Sequence, residues 1–371
     1  MTSNKRIISF ILPDLLPLAG VEVLTLGLIE EFSKKGYALH LVLINEKSSI
    51  ERYVSKDVQV INFKSKRLIS SVFKLSSYFR NYKPNYVISA MWPLTLISII
   101  SKIISRSKLR LVISDHNPLS MQYKSQSFLF RILMKLSIFI FYRAANAHIS
   151  VSSDVKKDLV QNMSCKMRNM FVINNLVNTS TLDIPGRVDH KLLRKISKFD
   201  KVVITVGRLK IQKNHKLLID SFGHASEMKN YCLLIVGEGE LYDETQDYII
   251  KNNLDEKIFL VGHHENIGAF YKLADLFVLS SNYEGFGNVL VEALSHGLPI
   301  VSVNCVGGPK DILRDGQFGI LTPKNKQALS EGINKILSHE VEFDKDKLLN
   351  RANDFSSKKI SNEYLKVLEK I

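Results

Sequence analysis

The sequence predicts an α/β protein built as two doubly wound domains, each a parallel sheet covered by helices on both faces. Three observations carry that prediction. The chain has 371 residues, enough for about two ordinary domains. Short apolar runs alternate with longer amphipathic stretches, the pattern of strands joined by crossover helices. The alternation stops across Thr179 to Asp200, a polar stretch containing Pro185 and Gly186, and then restarts; such a segment reads as a linker.

In the first series, Arg6 to Leu12, Ala38 to Ile44, Tyr86 to Ala90, Leu109 to Ser114 and Ala147 to Val151 have the length and β-branched content of strands. Val21 to Lys35 and Lys156 to Asn162 carry apolar residues at helical spacing. In the second series, Lys201 to Gly207, Cys232 to Gly237, Ile258 to Gly262, Leu276 to Ser280 and Pro299 to Val303 read as strands, each followed by a helical pattern. Ser356 to Ile371 places Ile360, Tyr364, Val367 and Leu368 on one helical face. The expected domains are residues 1–183 and 184–355.

Composition narrows the class. Hydrophobic residues make up 45% and charged residues 23%, close to globular averages, so a sizeable core is expected rather than disorder. Cys165, Cys232 and Cys305 are odd in number and widely spaced, which fits free thiols in a reducing compartment and no metal-ligand spacing. The apolar run Ile7 to Leu12 is too short for the core of a signal peptide, and no window is apolar for long enough to span a bilayer. A cytoplasmic protein is the expectation.

The charge is uneven. Through Asp183 there are 25 Lys+Arg against 11 Asp+Glu, and from Ile184 onward 26 against 25. The net +15 therefore sits almost wholly in the first half, which points to an anionic partner there. Phe128 to Arg143, FLFRILMKLSIFIFYR, mixes Arg131, Lys135 and Arg143 with large apolar residues. It suits a basic amphipathic helix lying on an anionic membrane and equally a half-buried core helix whose charges reach water.

Ligands of doubly wound sheets bind at the carboxyl ends of strands, so the chemistry is sought in the strand-to-helix turns. After the strand ending near Ser280 comes Glu284-Gly285-Phe286-Gly287, with a helix starting near Asn288. Glycines there expose backbone N–H groups, and the helix start adds unpaired donors and the positive end of its dipole. Glu284 and Glu292 have seven residues between them and could face one cleft; the alternative is two solvated glutamates. After the first strand of the second series, Gly207-Arg208 and Lys213-Asn214 offer a guanidinium fork and a point charge. That suits a diphosphate and the charge that develops on its departure; the alternative is a solvated basic loop.

These motifs, in this order, resemble the retaining glycosyltransferases of family four, with their E-x7-E region and GT-B fold. Glu284-Gly285-Phe286-Gly287, Glu292-Ala293-Leu294, Gly297 and Pro299 carry the likeness. It extends to Gly207-Arg208, Lys213-Asn214, Leu234 to Gly239, Ala274-Asp275 and Gly307 to Leu313, and so covers essentially the whole second domain. In the first domain, Leu18-Ala19-Gly20-Val21-Glu22 stands where the family has a Gly-Gly turn, with Ala19 replacing the first glycine. Ser114-Asp115-His116-Asn117 resembles a histidine-bearing loop, and Val172 to Asn175 the entry to the linker.

The resemblance implies two Rossmann-like domains facing a cleft, with residues 356–371 packing back on the first. It implies that Arg208, Lys213 and the Gly20 backbone hold a donor diphosphate, and that Glu292 binds the ribose. The backbone of Gly285, Phe286, Gly287 and Asn288 would hold sugar hydroxyls, Val289 would meet a phosphate, and Glu284 and His116 would face the donor sugar. No cofactor or metal is implied. The implied reaction moves a sugar from a nucleotide sugar, a UDP-sugar first among the choices, to a polyprenyl-linked or glycan acceptor. The setting would be O-antigen, capsule or exopolysaccharide assembly, peripheral at the inner face of the cytoplasmic membrane. Two rival functions are a sugar-nucleotide epimerase of the same fold and a basic nucleic-acid-binding protein. The second lacks any recognisable DNA-reading motif, so nucleic acid is not expected as a partner.

Overall fold

The computed structural model describes residues 5–15, 20–45, 53–178, 188–226, 229–264 and 266–371. Leu18-Ala19 and the first part of the expected linker, 179–187, lie outside the described residues. The chain divides into two compact units, Met1–Leu176 with Ser357–Ile371, and Val177–Ser356.

The first unit holds a seven-stranded sheet in the order β3-β2-β1-β4-β5-β6-β7. Its strands are β1 (Ile7–Leu12), β2 (Ala38–Leu43), β3 (Val58–Asn62), β4 (Tyr86–Ala90), β5 (Arg110–Asp115), β6 (Ala147–Ser150) and β7 (Met170–Val172). Every pairing is parallel. Both faces are covered, which is why the central strands are continuous apolar runs rather than alternating ones. One face packs the helices Gly20–Lys34 and Ser357–Lys370 through Leu28, Phe32, Tyr364 and Leu368. The other packs the helices Ser71–Tyr82 and Leu94–Ser105 through Leu75, Phe79, Ile97 and Ile99.

 The helix Phe128–Phe141 lies on this second face, but only Met134 and Ile138 of it are buried. Phe128, Leu129, Ile132, Leu133, Leu136 and Ile140 are 77, 65, 44, 57, 48 and 46% exposed. The core-helix reading of this segment therefore accounts for Met134 and Ile138, with Phe130 and Phe141 packed partly against the same core, and leaves six apolar residues in contact with solvent.

The second unit repeats the plan with six parallel strands in the order β10-β9-β8-β11-β12-β13. They are β8 (Lys201–Val206), β9 (Tyr231–Val236), β10 (Ile258–Gly262), β11 (Leu276–Leu279), β12 (Ile300–Val303) and β13 (Ile320–Thr322). Asp275, just before β11, fixes its start against β8. Its backbone N–H donates to the Val202 carbonyl at 2.8 Å, and its Oδ2 accepts from the Val202 N–H at 2.8 Å. Within the stretch read as a linker, His190–Ile196 forms a helix, because Asp189 Oδ1 caps it by accepting from the Lys191 N–H at 3.0 Å.

Chain order fixes where a ligand can sit. From β8 the chain runs to β9 and β10 on one side, then returns to β11, β12 and β13 on the other. The turns leaving β8 and β11 therefore diverge in opposite directions, and a crevice opens between them at the strands' carboxyl ends.

Candidate active site

The crevice of the second unit is built from two turns 71 residues apart in sequence, after β8 and after β11. Backbone and side-chain hydrogen bonds join them. Asn282 N–H donates to the Gln212 carbonyl at 2.7 Å, and Asn282 Nδ2 donates to the Ile211 carbonyl at 2.8 Å. Gln212 Nε2 donates to the Tyr283 carbonyl at 2.9 Å, and the Ser280 hydroxyl donates to the Lys213 carbonyl at 2.9 Å. The two turns thus form one rigid rim.

At its centre Lys213 Nζ lies 2.7 Å from Glu284 Oε1, with side chains 15% and 7% exposed. The Ser281 hydroxyl donates to the same oxygen at 2.6 Å. Glu284 is therefore a buried, paired carboxylate and not a solvated one. Its backbone is held as well, since its N–H donates to the Val306 carbonyl at 2.9 Å. Gly307 is required beside it: a Cβ there would stand 2.0 Å from the Glu284 carbonyl oxygen. Gly287, with φ 101°, takes the left-handed turn that starts the helix Asn288–Ser295.

Arg208 follows β8 and is exposed, whereas Lys210 is partly buried. Burial pulls the Lys210 ammonium below its usual pKa, and the neighbouring charges of Lys213 and Arg208 pull it further. Three cations thus share one turn against the carboxylates of Glu284 and Glu240. That local excess of positive charge, beside the N-terminus of Asn288–Ser295, suits an anion.

Glu292 is partly buried in the same helix, and its Oε2 accepts from the Tyr271 hydroxyl at 2.8 Å. Burial holds the Glu292 carboxyl above its ordinary pKa, while Tyr271 and Lys213 act against that rise. Tyr271, from the helix Gly268–Leu273, orients this carboxylate, and nothing in its sequence spacing marked it out. Phe286 is buried, with its ring 5.3 Å from that of Phe355, so it offers the crevice only its backbone. Gly285 is also buried, while Asn288 and Val289 stand at the helix start, partly exposed.

The two remaining candidates lie in the first unit, at the carboxyl edge of its sheet. Gly20 is exposed and opens the helix Gly20–Lys34. His116 follows β5 and is 8% exposed; its Nε2 lies 3.1 Å from the Ser114 hydroxyl, and its buried Nδ1 has no hydrogen-bond partner. Behind it is a network that the sequence did not reveal. Asp115 Oδ2 accepts from the Tyr142 hydroxyl at 3.1 Å and lies 3.0 Å from His148 Nε2, with all three residues buried. Burial lowers the His116 pKa to about 4, against a raising effect from Asp115. The imidazole is therefore neutral near pH 7. Among the described residues no group of three or more His, Cys, Asp or Glu side chains could hold a metal ion.

Two family models match the chain. "Glycosyltransferase Family 4" matches residues 18–181, and "Glycosyl transferases group 1" matches residues 190–357. A Campylobacter jejuni protein, N-acetylgalactosamine-N,N'-diacetylbacillosaminyl-diphospho-undecaprenol 4-alpha-N-acetylgalactosaminyltransferase, is 28% identical over 94% of this chain and 96% of its own length. The amylovoran biosynthesis glycosyltransferase AmsD of Erwinia amylovora is 27% identical over 77% of this chain and 78% of its own. Among solved structures, an Anabaena protein in complex with UDP and glucose superposes with a TM-score of 0.80 at 19% identity, covering 99% of this chain and 100% of that one; this likeness speaks to fold.

The buried His116 generates a stability prediction. Its folded-state pKa lies below the ordinary 6.5, so between about pH 6.5 and 4 the unfolded chain binds more protons and stability falls as pH falls. His116→Gln should flatten the decline in urea-unfolding free energy across that window, by on the order of 2 kcal/mol. An unchanged slope would show that the imidazole is not held neutral.

Proposed function

Because the chain belongs to the glycosyltransferases of the GT-B fold, we propose that it transfers a sugar from a UDP-sugar to a lipid-linked oligosaccharide, with retention at the anomeric carbon, in the assembly of a bacterial surface polysaccharide. One observation carries the donor part of this reading. Lys213 pairs with Glu284, and Arg208 stands on the same turn, at the strand switch point of the second unit, where an anionic ligand of a doubly wound sheet belongs.

In this reading the donor diphosphate lies against Arg208, Lys213 and the N–H groups at the start of Asn288–Ser295, near Val289. Glu292, oriented by Tyr271, accepts hydrogen bonds from the ribose. The backbone from Gly285 to Asn288 holds sugar hydroxyls. Glu284 faces the sugar as a fixed carboxylate. The bond from the anomeric carbon to the diphosphate breaks while the acceptor oxygen bonds on the same face. The acceptor proton passes to the departing phosphate oxygen. Arg208 and Lys213 stabilise the charge left there, so positioning and electrostatics supply the catalysis.

The acceptor class is supported by the diphospho-undecaprenol named for the Campylobacter relative and by the amylovoran pathway of the Erwinia relative. A membrane location is supported by the helix Phe128–Phe141, whose six exposed apolar residues are accompanied by exposed Arg131 and Lys135 and by no acidic residue. Among the described residues no helix is long and apolar enough to cross a membrane; this surface would lie on it.

Offered a panel of nucleotide sugars and a bacterial lipid extract, the enzyme should yield a glycolipid from a UDP-sugar. Arg208→Ala should lower kcat/KM by at least about a hundredfold. An epimerised sugar nucleotide with no glycolipid would sink the transfer reading, and near-normal turnover in the variant would sink the donor site. In flotation with phosphatidylglycerol-containing vesicles, Leu129→Glu with Leu133→Glu should reduce the bound fraction several-fold. Undiminished flotation would remove Phe128–Phe141 as the membrane contact.

A further inference from the structure

At the amino ends of β1, β4 and β5, the edge of the first sheet opposite the one that carries His116, lies an open cavity of about 620 Å³. Its lining includes Arg6, Arg80, Lys83, Arg106, Lys108 and Arg110, and no carboxylate. None of the six makes an ion pair among the described residues. Helix ends account for part of this. Arg80 lies in the last turn of Ser71–Tyr82, Lys83 caps that helix, and Arg106 caps Leu94–Ser105, where cations offset the negative dipole end. Two helix ends bring only about half a negative charge each, against six full positive ones. Arg6, Lys108 and Arg110 stand at strand starts, where no helix end explains them.

The floor of the cavity is fixed. Asn85 joins β1 to β5 through the Ile7 and Arg110 backbones, its Oδ1 accepting from the Ile7 N–H at 2.8 Å and its carbonyl accepting from the Arg110 N–H at 3.0 Å. The Arg110 guanidinium donates to the Tyr86 hydroxyl at 3.3 Å, which orients it. Such a cluster repels itself unless an anion fills it, and guanidinium forks with ammonium groups around one concavity match phosphate oxygens. We propose that this cavity binds a phosphate-bearing anion, either a soluble diphosphate or the headgroup of an anionic phospholipid. The site is independent of the donor reading and would account for much of the charge asymmetry between the two halves of the chain.

Lys83 and Arg106 give a test that spares the fold, because both sit at left-handed backbone, with φ 46° and 54°, which glycine adopts without strain. Inorganic pyrophosphate is titrated calorimetrically into the full chain at low salt. Lys83→Gly with Arg106→Gly should weaken binding at least tenfold, while the charge-matched control Lys66→Gln with Lys157→Gln should not. Arg208→Ala, which disturbs the anion site of the second unit, should leave this binding in place. Equal weakening by both pairs, no weakening by either, or loss only in Arg208→Ala would overturn the proposal. A second arm uses phosphatidylglycerol vesicles. Parallel loss of vesicle and pyrophosphate binding in the glycine pair identifies a lipid headgroup, and loss of pyrophosphate alone a soluble anion. Loss of vesicle binding with pyrophosphate binding intact means diffuse surface charge and also overturns it.

Discussion

The ion pair between Lys213 and Glu284 is the constraint on which the candidate site depends. It joins two turns that leave neighbouring strands in opposite directions, and with little solvent around it neither charge has water as a substitute partner. A pair so enclosed gains little over apolar packing, but losing one member strands the other without compensation. The surrounding hydrogen bonds, from Ser281 to the carboxylate and from Gln212 and Asn282 between the turns, keep the pair in one geometry. Lys213 is therefore already neutralised in part, and the net attraction for an anion falls more heavily on Arg208 and on the helix start at Asn288.

The parallel topology makes that pair possible. Because β8 and β11 are adjacent while their connections depart to opposite sides, their carboxyl ends are the one place in the second sheet where two turns can meet without a crossover between them. Gly307 lets the turn after β12 approach the Glu284 backbone more closely than any side chain would allow. In the first unit the same logic separates two kinds of surface. The carboxyl edge carries His116 over a buried Asp115, Tyr142 and His148 network, the amino edge carries six cations with no ion pair among the described residues, and the helix Phe128–Phe141 leaves six apolar residues exposed.

The doubly wound plan was legible because buried parallel strands are continuous apolar runs, and ten of them were visible in that way. The strands that escaped notice lie at sheet edges or close to them. Val58–Asn62 is interrupted by exposed Gln59, and Met170–Val172 and Ile320–Thr322 have three residues each, too few to show a period. The turns after β8 and β11 announced themselves through glycines and charges. Their pairing did not, since a contact between positions 213 and 284 is set by strand order. Tyr271 and His148 were invisible for a similar reason: each acts through a partner brought to it by the fold. The segment 128–143 reads alike for a membrane surface and for a core, and the structure leaves six of its apolar residues exposed.

A double-mutant cycle on the unfolding free energy tests the central constraint most directly, using Lys213→Ala, Glu284→Ala and the two together. Each single change should destabilise by about 3 kcal/mol, because it leaves a buried charge unpaired. The double variant should cost less than the sum of the two, with a coupling of at least about 1 kcal/mol. Additive effects within error would contradict the account, since the turns would then be held together without this pair.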